Sequence, residues 1–575
     1  MAGTTQISSG TDSLISVTDS QALAKERAKS DLWIFREGRR QVSGCAMVRD
    51  LAHRLASKKP LLDCLIEAGE LEAALADRNA SGAEAAAALT DALAVALCQG
   101  NQFDHAGLAQ HAERIEVPAT ISISPPEGFT YYALHPSDYA RAAEKIASQS
   151  KSFAVVGVRS IGTTLSAVTT AALNAKKQCA VRITVRPTGH PYSRRLQFSQ
   201  QQECWVAEQL SRSSAFLIVD EGPGRSGSTF LSVAEALMRA GVPPERITAI
   251  GSREFDAESL CAEDAGRRWK CVQFVTAMPS VSSRFRDFPY LGGGDWRTHS
   301  FEDEEDWPES WTQMERLKFF SPDRRQFFKF EGMGPLGSEV RERAFRLAEN
   351  GFSPKATDAG DGFLSYQTVE GRNLRKQDAS PSVLERIARY CTFRVSNFSY
   401  SPPFDSELAN MLEFNLQQEF GRELRLDPGL FGSSNPILVD GRMQPFEWIA
   451  SSQGELLKTD AISHGDNHFF PGPCDIAWDL AGAIVEWNLS CEATEFLLRR
   501  FKQLSGIDVA QKLSAYRLAY CMFRLGFCKM AASTVLGSRE ELRLENAYHW
   551  YRSEAGKLLD GATAAGNFSR ATAAT

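Results

Sequence analysis

The sequence predicts an α/β protein with a doubly wound parallel sheet in its middle part, a helical segment before the sheet and an α+β region after it. Three observations predict this. Short β-branched runs alternate with helical stretches in residues 118–285, a pattern typical of parallel sheets. Residues 31–117 carry apolar residues at helical spacing, and residues 310–560 mix strand-like and helical patterns.

The composition indicates a soluble globular protein of two or three domains. The chain has 575 residues, of which 43% are hydrophobic and 23% are charged, so it is too long for a single core. It has no apolar run of about 18 residues and no signal-peptide pattern at its N-terminus. The 12 cysteines include no CxxC pair, which favours reduced thiols and a cytoplasmic location. The net charge of −7 favours small-molecule substrates over nucleic acid or membrane.

The first part of the chain carries no recognisable chemistry. Residues 1–30 are rich in Ser, Thr, Gly and Gln and are expected to form a flexible tail. Residues 31–117 form the predicted helical segment, in which the run from Leu61 to Ile66 has helical spacing. The expected role of this segment is to pack against the domain that follows.

The middle region is predicted to contain four parallel strands with helices between them. The predicted strands are the apolar runs at residues 153–158, 181–185, 216–219 and 247–250. The predicted helices include residues 165–177 and 229–240. Because parallel sheets bind ligands at the carboxyl ends of their strands, motifs that follow these strands are the first candidates for a functional site.

One such motif follows the strand at residues 216–219. Asp220 and Glu221 come directly after it, and a Gly/Ser/Thr loop then leads into a helix. The backbone N–H groups of such a loop, together with the helix N-terminus, can bind a phosphate. Two adjacent carboxylates beside it can hold ribose hydroxyls, directly or through Mg²⁺.

This motif resembles the signature of the type I phosphoribosyltransferases, most closely those of bacterial tellurite-resistance-type stress gene clusters. The resemblance covers about residues 120–280 and implies that Asp220 and Glu221 hold Mg²⁺ and the ribose of phosphoribosyl pyrophosphate (PRPP). The residues that it implies for the 5′-phosphate are Ser226, Gly227, Ser228 and Thr229. Gly224 stands where several purine enzymes have a carboxylate base, so the loop indicates no base for the acceptor.

Two upstream segments resemble further parts of the same family. The loop after the first strand resembles the pyrophosphate loop, in which Ser160 and Gly162 would bind the leaving group and Arg159 would offset its charge. Residues 186–195 lie where the family has a mobile loop that closes over pyrophosphate. Fixed cations there would stabilise the departing polyanion. The cations of this segment are Arg186, Arg194 and Arg195.

The remainder of the chain is predicted to be a linker, a third region and a tail. The linker is placed at residues 286–309, which include three consecutive glycines and an acidic run. The third region covers residues 310–560, and residues 561–575 form the expected tail. The clearest predicted elements of the third region are a strand at residues 327–330 and helices at residues 338–350 and 382–394.

The third region contains charged motifs whose order resembles that of aminoglycoside phosphotransferases and protein kinases. Lys329 lies on a predicted strand, Glu342 lies near the start of the next helix, and Asp460 ends a hairpin whose turn is predicted at residues 452–454. A D-x-x-x-D-L-A element follows from Asp475. The resemblance implies that Lys329 binds ATP and pairs with Glu342. It also implies that Mg²⁺ is held by Glu447 and Asp460.

The same region departs from the family pattern at the catalytic position. Arg442 stands where the catalytic Asp is expected, and Asp440 is the nearby carboxylate that could take a proton from an acceptor. A separate His-Gly-Asp match at residues 464–466 is set aside, because Pro471 stands where that loop needs Asn. Three interpretations stay open. Asp440 acts in a shifted loop, or the domain binds nucleotide without ordinary transfer, or the charges are solvated groups of an unrelated fold.

These motifs together predict a cytoplasmic bifunctional enzyme. The middle domain would transfer ribose 5-phosphate from PRPP to an unidentified small molecule and release pyrophosphate. The C-terminal domain would use ATP to phosphorylate that product or a related small molecule. The expected product is a nucleoside-like metabolite of a bacterial stress pathway. The alternative is a regulatory pseudoenzyme or scaffold that senses PRPP and ATP. Homodimers are common in the family that the middle region resembles.

Overall fold

The computed structural model describes most of the chain. The described residues are 34, 40–100, 103–190, 192–224, 226–401, 407–422, 428–433, 435–462, 464 and 472–564. The tail predicted at residues 1–30 lies outside these ranges. The last helix continues to Ala564, so it includes the first four residues of the predicted C-terminal tail, and the rest of that tail lies outside the described residues. Within the described part, no helix is long and apolar enough to cross a membrane.

The N-terminal part is helical, as predicted, with one addition. Its helices are α1 (Gly44–Ala56), α2 (Leu61–Asp77), α3 (Ala83–Gln99) and α4 (His105–Glu113). Two short strands frame them as an antiparallel pair, β1 (Arg40–Ser43) and β2 (Thr120–Ile123). With four residues each, these strands are too short for their alternation to stand out in the sequence.

The middle region is a five-stranded parallel sheet with helices between its strands. The strands are β3 (Ser152–Val158), β4 (Cys179–Val185), β5 (Ala215–Val219), β6 (Ile247–Gly251) and β7 (Gln273–Thr276). The helices are α5 (Glu127–Tyr131), α6 (Pro136–Ile146), α7 (Ile161–Ala175), α8 (Gln200–Ser211), α9 (Ser228–Arg239), α10 (Ala265–Trp269) and α11 (Val281–Arg284). The four predicted strands are confirmed. The fifth, β7, is a short edge strand with few apolar residues.

The strand order places the carboxyl ends of two particular strands at the centre of the sheet. The order is β4-β3-β5-β6-β7, so the chain direction across the sheet reverses between β3 and β5. A crevice opens at such a reversal in doubly wound sheets, and ligands bind there. The two glycine-containing loops of the sequence analysis follow these two strands. Helix α7 is buried over most of its length because α2 and α3 cover the side that faces away from the sheet.

The C-terminal region contains two small antiparallel sheets and a group of long helices. The first sheet has the order β10-β11-β9-β8, and the second has the order β12-β13-β14. Their strands are β8 (Lys318–Phe320), β9 (Gln326–Phe330), β10 (Ala356–Gly360), β11 (Phe363–Gln367), β12 (Gly371–Asn373), β13 (Trp448–Ser451) and β14 (Leu456–Lys458). The hairpin predicted before Asp460 is confirmed as β13 and β14, and Gly454 in its turn has a φ of +84°.

The helices of this region begin in the segment that was predicted to be a linker. They are α12 (Arg297–Ser300), α13 (Gly334–Glu349), α14 (Pro381–Asn397), α15 (Leu408–Phe420), α16 (Ala477–Glu486), α17 (Cys491–Ser505), α18 (Ala510–Ala532) and α19 (Arg539–Ala564). Arg297 of α12 is buried, and its guanidinium lies 2.8 Å from the Glu540 carboxylate at the start of α19. The predicted linker is therefore packed against the C-terminal helices.

One apolar cluster joins the middle region to the C-terminal region. It includes Phe129 of α5, Phe153 of β3, Phe285 after α11 and Phe330 of β9, all nearly inaccessible to solvent. The ring of Phe285 stacks on that of Phe319 in β8, with 4.4 Å between the centroids. Since burial of each aromatic ring contributes roughly 1.5–3 kcal/mol, this cluster holds the parallel sheet against β8–β11.

Candidate functional site

The loops after β3 and β5 meet at the point where the strand order reverses. A Cβ atom at Gly162 would lie 2.5 Å from the carbonyl oxygen of Val219, the last residue of β5. A Cβ atom at Gly157 would lie 2.5 Å from the carbonyl oxygen of Gly162. Both distances are below any normal contact, so only glycine lets the two loops close against each other. Gly162 and Asp220, both predicted as site residues, are thus brought to the same crevice.

The loop after β3 contains a strained residue. Ser160 has φ +97° and ψ −121°, a conformation that costs a non-glycine residue on the order of 1–3 kcal/mol. Backbone hydrogen bonds hold the loop on both sides: Arg159 N donates to Val185 O at 2.8 Å, and Thr163 N donates to Ser160 O at 3.1 Å. Strain that the surroundings enforce in this way is concentrated at ligand-binding sites.

The two acids after β5 are fixed at their backbone by one tyrosine. The Tyr139 hydroxyl lies 2.7 Å from the carbonyl oxygen of Asp220 and 2.9 Å from that of Glu221. Among the described residues, neither carboxylate forms an ion pair. The nearest opposing charges are Arg186 for Asp220 and Arg253 for Glu221, and neither arginine is in ion-pair contact with its acid.

The pKa values of both acids reflect this lack of a partner. Burial raises the pKa of Asp220 to about 7, opposed by a backbone hydrogen bond and by the charge of Arg186. Burial also raises the pKa of Glu221 to about 7, and the charges of Asp220 and Glu127 act in the same direction. A cation bound between the acids would reverse these shifts. The acids therefore fit a site for a divalent metal.

The predicted phosphate loop ends in a tight turn before α9. Gly227 has φ +64°, and a Cβ atom there would lie 2.7 Å from a methyl group of Leu260 and 2.8 Å from Nε1 of Trp269. Ser226 Oγ accepts a hydrogen bond from Ser228 N at 3.2 Å. Helix α9 starts at Ser228, and Thr229 is half-buried in its first turn. The N–H group of Ser228 is bonded within the loop in this conformation, so what the loop offers an anion is the positive end of the α9 dipole.

The structure brings two of the four predicted arginines together, through a residue that the sequence did not indicate. Asp77, at the end of α2, lies 3.1 Å from the guanidinium of Arg159 and 2.6 Å from that of Arg186. Arg186 also donates to the backbone carbonyl of Arg159 at 2.9 Å. No local signal could have identified Asp77, because it is 82 residues from Arg159 and 109 from Arg186.

The other two arginines lie in a loop that folds back on itself. Thr188 and Arg195 exchange backbone hydrogen bonds of 2.9 and 2.8 Å. The Arg194 guanidinium donates to the Gly189 carbonyl at 2.8 Å. This is the segment predicted to be the mobile loop, and Arg194 is occupied by its own loop in this conformation.

A second candidate site is a cavity of about 350 Å³ in the C-terminal region. It lies between the two small sheets and is lined by Lys329 of β9, Tyr366 of β11, Arg442, Glu447 and Asp460. Its other wall is formed by residues of the segment 291–318, which include Trp296 and Arg316. Most of this segment was predicted to be a linker.

Lys329 pairs with Asp460, but not with the predicted glutamate. The Lys329 ammonium contacts the Asp460 carboxylate and lies 3.0 Å from that of Glu331, two residues further along the chain. Glu342 is exposed on α13, whose inner face presents Val340 and Ala344 instead. The prediction that Glu342 pairs with Lys329 is therefore corrected: Glu331 supplies the carboxylate, because Glu342 is on the solvent side of its helix.

Glu447, predicted as a metal ligand, has a protein cation instead. The Lys458 ammonium is fully buried, 2.7 Å from the Glu447 carboxylate and 3.3 Å from that of Asp440. Lys458 also donates to the carbonyl oxygen of Thr459 at 3.0 Å. Sequence analysis did not identify this lysine, although its place two residues before Asp460 in the hairpin was a usable signal.

Asp440 lies inside the fold and not at the cavity surface. Its side chain is completely buried and accepts a short hydrogen bond from the Tyr390 hydroxyl. Asp479 of the D-x-x-x-D-L-A element accepts the backbone N–H groups of Asp440 and Gly441 at 2.9 and 3.1 Å. Asp440 is thus held as a structural carboxylate. Arg442 lines the cavity, with its guanidinium 4.9 Å from the ring centroid of Phe527.

His464 completes a group that the sequence analysis left aside. Its Nε2 lies 3.4 Å from the Asp460 carboxylate. His464, Asp440 and Glu447 each offer one possible ligand atom, and these three atoms lie within 4.8 Å of one another. Asp466 and His468, also near this motif in the sequence, lie outside the described residues. The ligand geometry suits a metal, but the Lys458 ammonium already compensates two of the three groups.

The electrostatics of the cavity differ from those of the crevice. Burial alone would raise the pKa of Asp460, but Lys329 and His464 hold it well below its usual range. Burial would likewise raise the pKa of Asp440, and Lys458 and His464 keep it low. The attraction also raises the pKa of Lys458 despite its burial. These acids therefore stay ionised without an external cation.

Several solved structures resemble this chain over less than half of its length. A choline kinase from Streptococcus pneumoniae is 14% identical, with a TM-score of 0.30, and covers 42% of this chain and 89% of its own. A macrolide 2′-phosphotransferase from Brachybacterium faecium is 11% identical, with a TM-score of 0.28, and covers 41% of this chain and 88% of its own. An aminoglycoside phosphotransferase from Alicyclobacillus acidocaldarius is 12% identical, with a TM-score of 0.29, and covers 43% and 87%.

No family model and no curated protein matches the chain. The resemblance of the middle region to phosphoribosyltransferases therefore has no counterpart in these two comparisons.

Proposed function

We propose that residues 118–285 form a Mg²⁺-dependent phosphoribosyltransferase domain that uses PRPP as donor. The observation that carries this proposal is the pair Asp220 and Glu221, which is half-buried at the reversal of the strand order and forms no ion pair among the described residues. A site of this kind favours a ligand that brings positive charge, because such a ligand stabilises the ionised form of both acids. PRPP with Mg²⁺ supplies that charge, together with ribose hydroxyls for the carboxylates.

In the proposed reaction, the bond between C1 of the ribose and the pyrophosphate oxygen breaks, and pyrophosphate leaves with the electron pair. The acceptor forms the new bond to C1 and loses a proton. Bound Mg²⁺ would neutralise the phosphates and orient the ribose. Asp220 and Glu221 would hold Mg²⁺ and the hydroxyls, and exclusion of water would protect the electron-poor C1 atom.

The remaining predicted residues divide between the two ends of PRPP. The loop from Ser226 to Thr229 would bind the 5′-phosphate through the start of α9. Ser160 and Gly162 would bind the pyrophosphate. Arg159 and Arg186 would offset its charge, after exchanging Asp77 for the ligand. Arg194 and Arg195 would approach the pyrophosphate when their loop closes.

The first test is a calorimetric titration of PRPP with Mg²⁺ into the wild type and an Asp220→Asn/Glu221→Gln variant. We expect the wild type to bind PRPP with micromolar affinity. The affinity of the variant should be at least 100-fold lower, because the amide side chains that replace the two carboxylates cannot hold Mg²⁺. Asp91→Asn, on helix α3, is a matched control that keeps its wild-type affinity. If the folded wild type does not bind PRPP, the phosphoribosyltransferase proposal is wrong.

A second function is favoured by the contacts of Lys329. We propose that the cavity of the C-terminal region binds a nucleoside triphosphate such as ATP, with phosphates at Lys329 and Mg²⁺ at Asp460. Contact of the ammonium with Asp460 at the cavity floor supports this, because both groups can exchange partners for a phosphate and its metal. The cavity volume of about 350 Å³ is also within the range of small-molecule sites.

The surroundings of Asp440 favour nucleotide binding without ordinary phosphoryl transfer. A catalytic carboxylate must reach the acceptor hydroxyl, whereas Asp440 is buried under Tyr390 and Lys458. Arg442 is the group that faces the cavity in its place. A phosphotransferase with Asp440 as base would require the loop to rearrange.

The expected result for this site is binding of Mg²⁺·ATP that Lys329→Met weakens at least tenfold, measured by fluorescence or calorimetry. Lys502→Met, which removes an exposed ion pair on α17, is the control. Consumption of ATP in the presence of candidate nucleoside acceptors distinguishes the two alternatives. Turnover supports the bifunctional enzyme, and binding without turnover supports the PRPP- and ATP-sensing pseudoenzyme. The domain boundaries, the cytoplasmic location, a homodimer and a nucleoside-like product stay predictions.

A further inference from the structure

Helix α5 lies beside the acids of the crevice and is bonded to the segment that follows strand β9 of the cavity. At its start, a Cβ atom on Gly128 would lie 3.2 Å from the carboxylate of Glu221. At the next residue, the carbonyl oxygen of Phe129 accepts a hydrogen bond of 3.0 Å from Met333 N. Met333 follows strand β9, which carries Lys329. One short helix therefore adjoins both the crevice and the segment that follows the strand of Lys329.

Arg316 connects the same helix to the floor of the cavity. Its guanidinium donates to the Thr130 carbonyl at 3.5 Å and lies 5.4 Å from the ring centroid of Tyr131. It also lies 3.7 Å from the Glu331 carboxylate. Arg316 and Glu331 are both buried, at 9% and 1% exposure, so water screens this charge pair weakly.

Glu331 divides its carboxylate between several partners. One oxygen lies 3.0 Å from the Lys329 ammonium and 3.2 Å from the Tyr366 hydroxyl, while the other faces Arg316. Lys329 in turn is shared between Glu331 and Asp460. A negatively charged ligand at Lys329 therefore changes the balance of charge that holds Arg316 in place.

We infer that Arg316 and α5 couple the two sites, so that nucleotide in the C-terminal cavity lowers the affinity of the crevice for PRPP. This inference rests on the proposed function of both sites. A bound phosphate draws Lys329 away from Glu331, and the freed carboxylate then attracts Arg316. Arg316 loosens its contacts with Thr130 and Tyr131, and α5 packs less firmly beside Glu221. Arg316 is thus a positioning residue that acts through α5.

The coupling is reciprocal by thermodynamic necessity, and couplings of this kind commonly change affinities fivefold or more. The test is calorimetric titration of Mg²⁺·PRPP into the full-length protein, with and without a saturating non-hydrolysable ATP analogue. We expect the analogue to weaken PRPP binding about fivefold in the wild type. The factor should fall to within twofold in Arg316→Met and take an intermediate value in Arg316→Lys, which keeps the charge.

Arg500→Met is the matched control, since it removes an arginine that pairs with Glu385 on the surface. Its coupling factor should equal that of the wild type. A wild-type factor within twofold of one overturns the inference, and so does a factor that Arg316→Met leaves unchanged. Both results are distinct from failure of the proposed function, in which one ligand does not bind at all.

Amide hydrogen exchange decides the inference even if one ligand fails to bind. The amides of Phe129, Thr130, Tyr132 and Leu134 donate to backbone carbonyls within this segment or just before it, and so report on its packing. We expect Lys329→Met and Arg316→Met to speed exchange in residues 127–134 at least threefold, relative to Arg500→Met. Unchanged exchange in both variants would show that α5 does not respond to the cavity floor.

Discussion

The crevice of the parallel sheet and the cavity of the C-terminal region each hold buried or half-buried carboxylates, but they balance the charge in opposite ways. Asp220 and Glu221 form no ion pair among the described residues, and burial raises the pKa of each to about 7. Asp440 and Asp460 each contact a buried lysine, which keeps their pKa values low. The same residue type is thus left dependent on a ligand in one region and satisfied internally in the other.

This difference separates a site that needs a cation from one that carries its own. Desolvation of an unpaired charge is among the most costly events in folding. A chain that keeps two such acids at a ligand-binding crevice gains affinity for a cationic or metal-bound ligand. A chain that pairs its acids with lysines gains a stable scaffold, but these acids then have a lower affinity for a metal ion. The four predictions below test this contrast.

The largest effect is expected for Lys458→Met. Removal of the ammonium leaves Asp440 and Glu447 buried without the lysine that they share, and the free energy of unfolding should fall by about 3–5 kcal/mol. The variant should also behave like the crevice and respond to an external cation. Mn²⁺ should raise its melting temperature through the ligand group of Asp440, Glu447 and His464.

Thermal unfolding with and without Mn²⁺ measures both effects, and Lys502→Met is the control for loss of a lysine. If the Lys458→Met variant is as stable as the wild type, the Lys458 ammonium does not compensate the charges of Asp440 and Glu447.

The second effect concerns Asp220 and Glu221 in the absence of ligand. Because their folded pKa values are raised, the native state holds more protons than the unfolded state between about pH 4 and 7. The free energy of unfolding should therefore fall as the pH rises through this window. The Asp220→Asn/Glu221→Gln variant should lack this slope and be more stable than the wild type at pH 7.5 by about 2–4 kcal/mol.

Urea denaturation at several pH values provides the measurement. Asp440 and Asp460 predict the opposite dependence, since their pKa values are lowered and their stabilisation is lost only as the pH falls below about 4. Identical pH profiles for the wild type and the double variant would contradict the assigned pKa shifts.

A smaller effect is expected for Tyr139→Phe. The hydroxyl donates to the carbonyl oxygens of both Asp220 and Glu221, and its loss should lower the free energy of unfolding by about 1–3 kcal/mol. PRPP binding should weaken as well, because the backbone of the acids is no longer fixed. Tyr548→Phe, on helix α19, is the control and should leave the affinity for PRPP unchanged. Equal PRPP affinities in wild type and Tyr139→Phe would limit the tyrosine to a role in stability.

The smallest effect is expected for Asp77→Ala. This change frees Arg159 and Arg186 from their shared carboxylate, so that pyrophosphate with Mg²⁺ should bind about threefold more tightly. The cost in stability should be below about 1 kcal/mol, because the pair is partly exposed. Calorimetric titration of pyrophosphate is the measurement, and Asp91→Ala, which removes a different carboxylate–arginine contact of the N-terminal part, is the control. Weaker pyrophosphate binding would instead make Asp77 a positioning residue for the arginines.

Sequence reasoning was most successful where the signal is local. The strands β3, β5 and β6, the helices α7 and α9 and the hairpin of β13 and β14 were predicted within a few residues of their bounds. It was least successful for β7, for the packed segment around Arg297 and for the partner of Lys329. For the segment around Arg297 the deciding contact is distant in the sequence, since Arg297 pairs with Glu540. Glu331 is only two residues from Lys329, but the packing of α13 decides that Glu342 faces solvent and leaves Glu331 as the partner.

The sequence by itself determined the alternation of strands and helices, the position of Asp220 and Glu221 at a strand end and the glycines that permit the loops to close. Each follows from side-chain period, burial and backbone freedom within a few residues. Only the tertiary structure decided which charges find partners. Asp77, Glu331 and Lys458 each neutralise a predicted site residue, and the pairing depends on which elements pack together. Whether a carboxylate is satisfied or dependent on a ligand is therefore a property of the fold, since it depends on how the elements that carry the charges pack together.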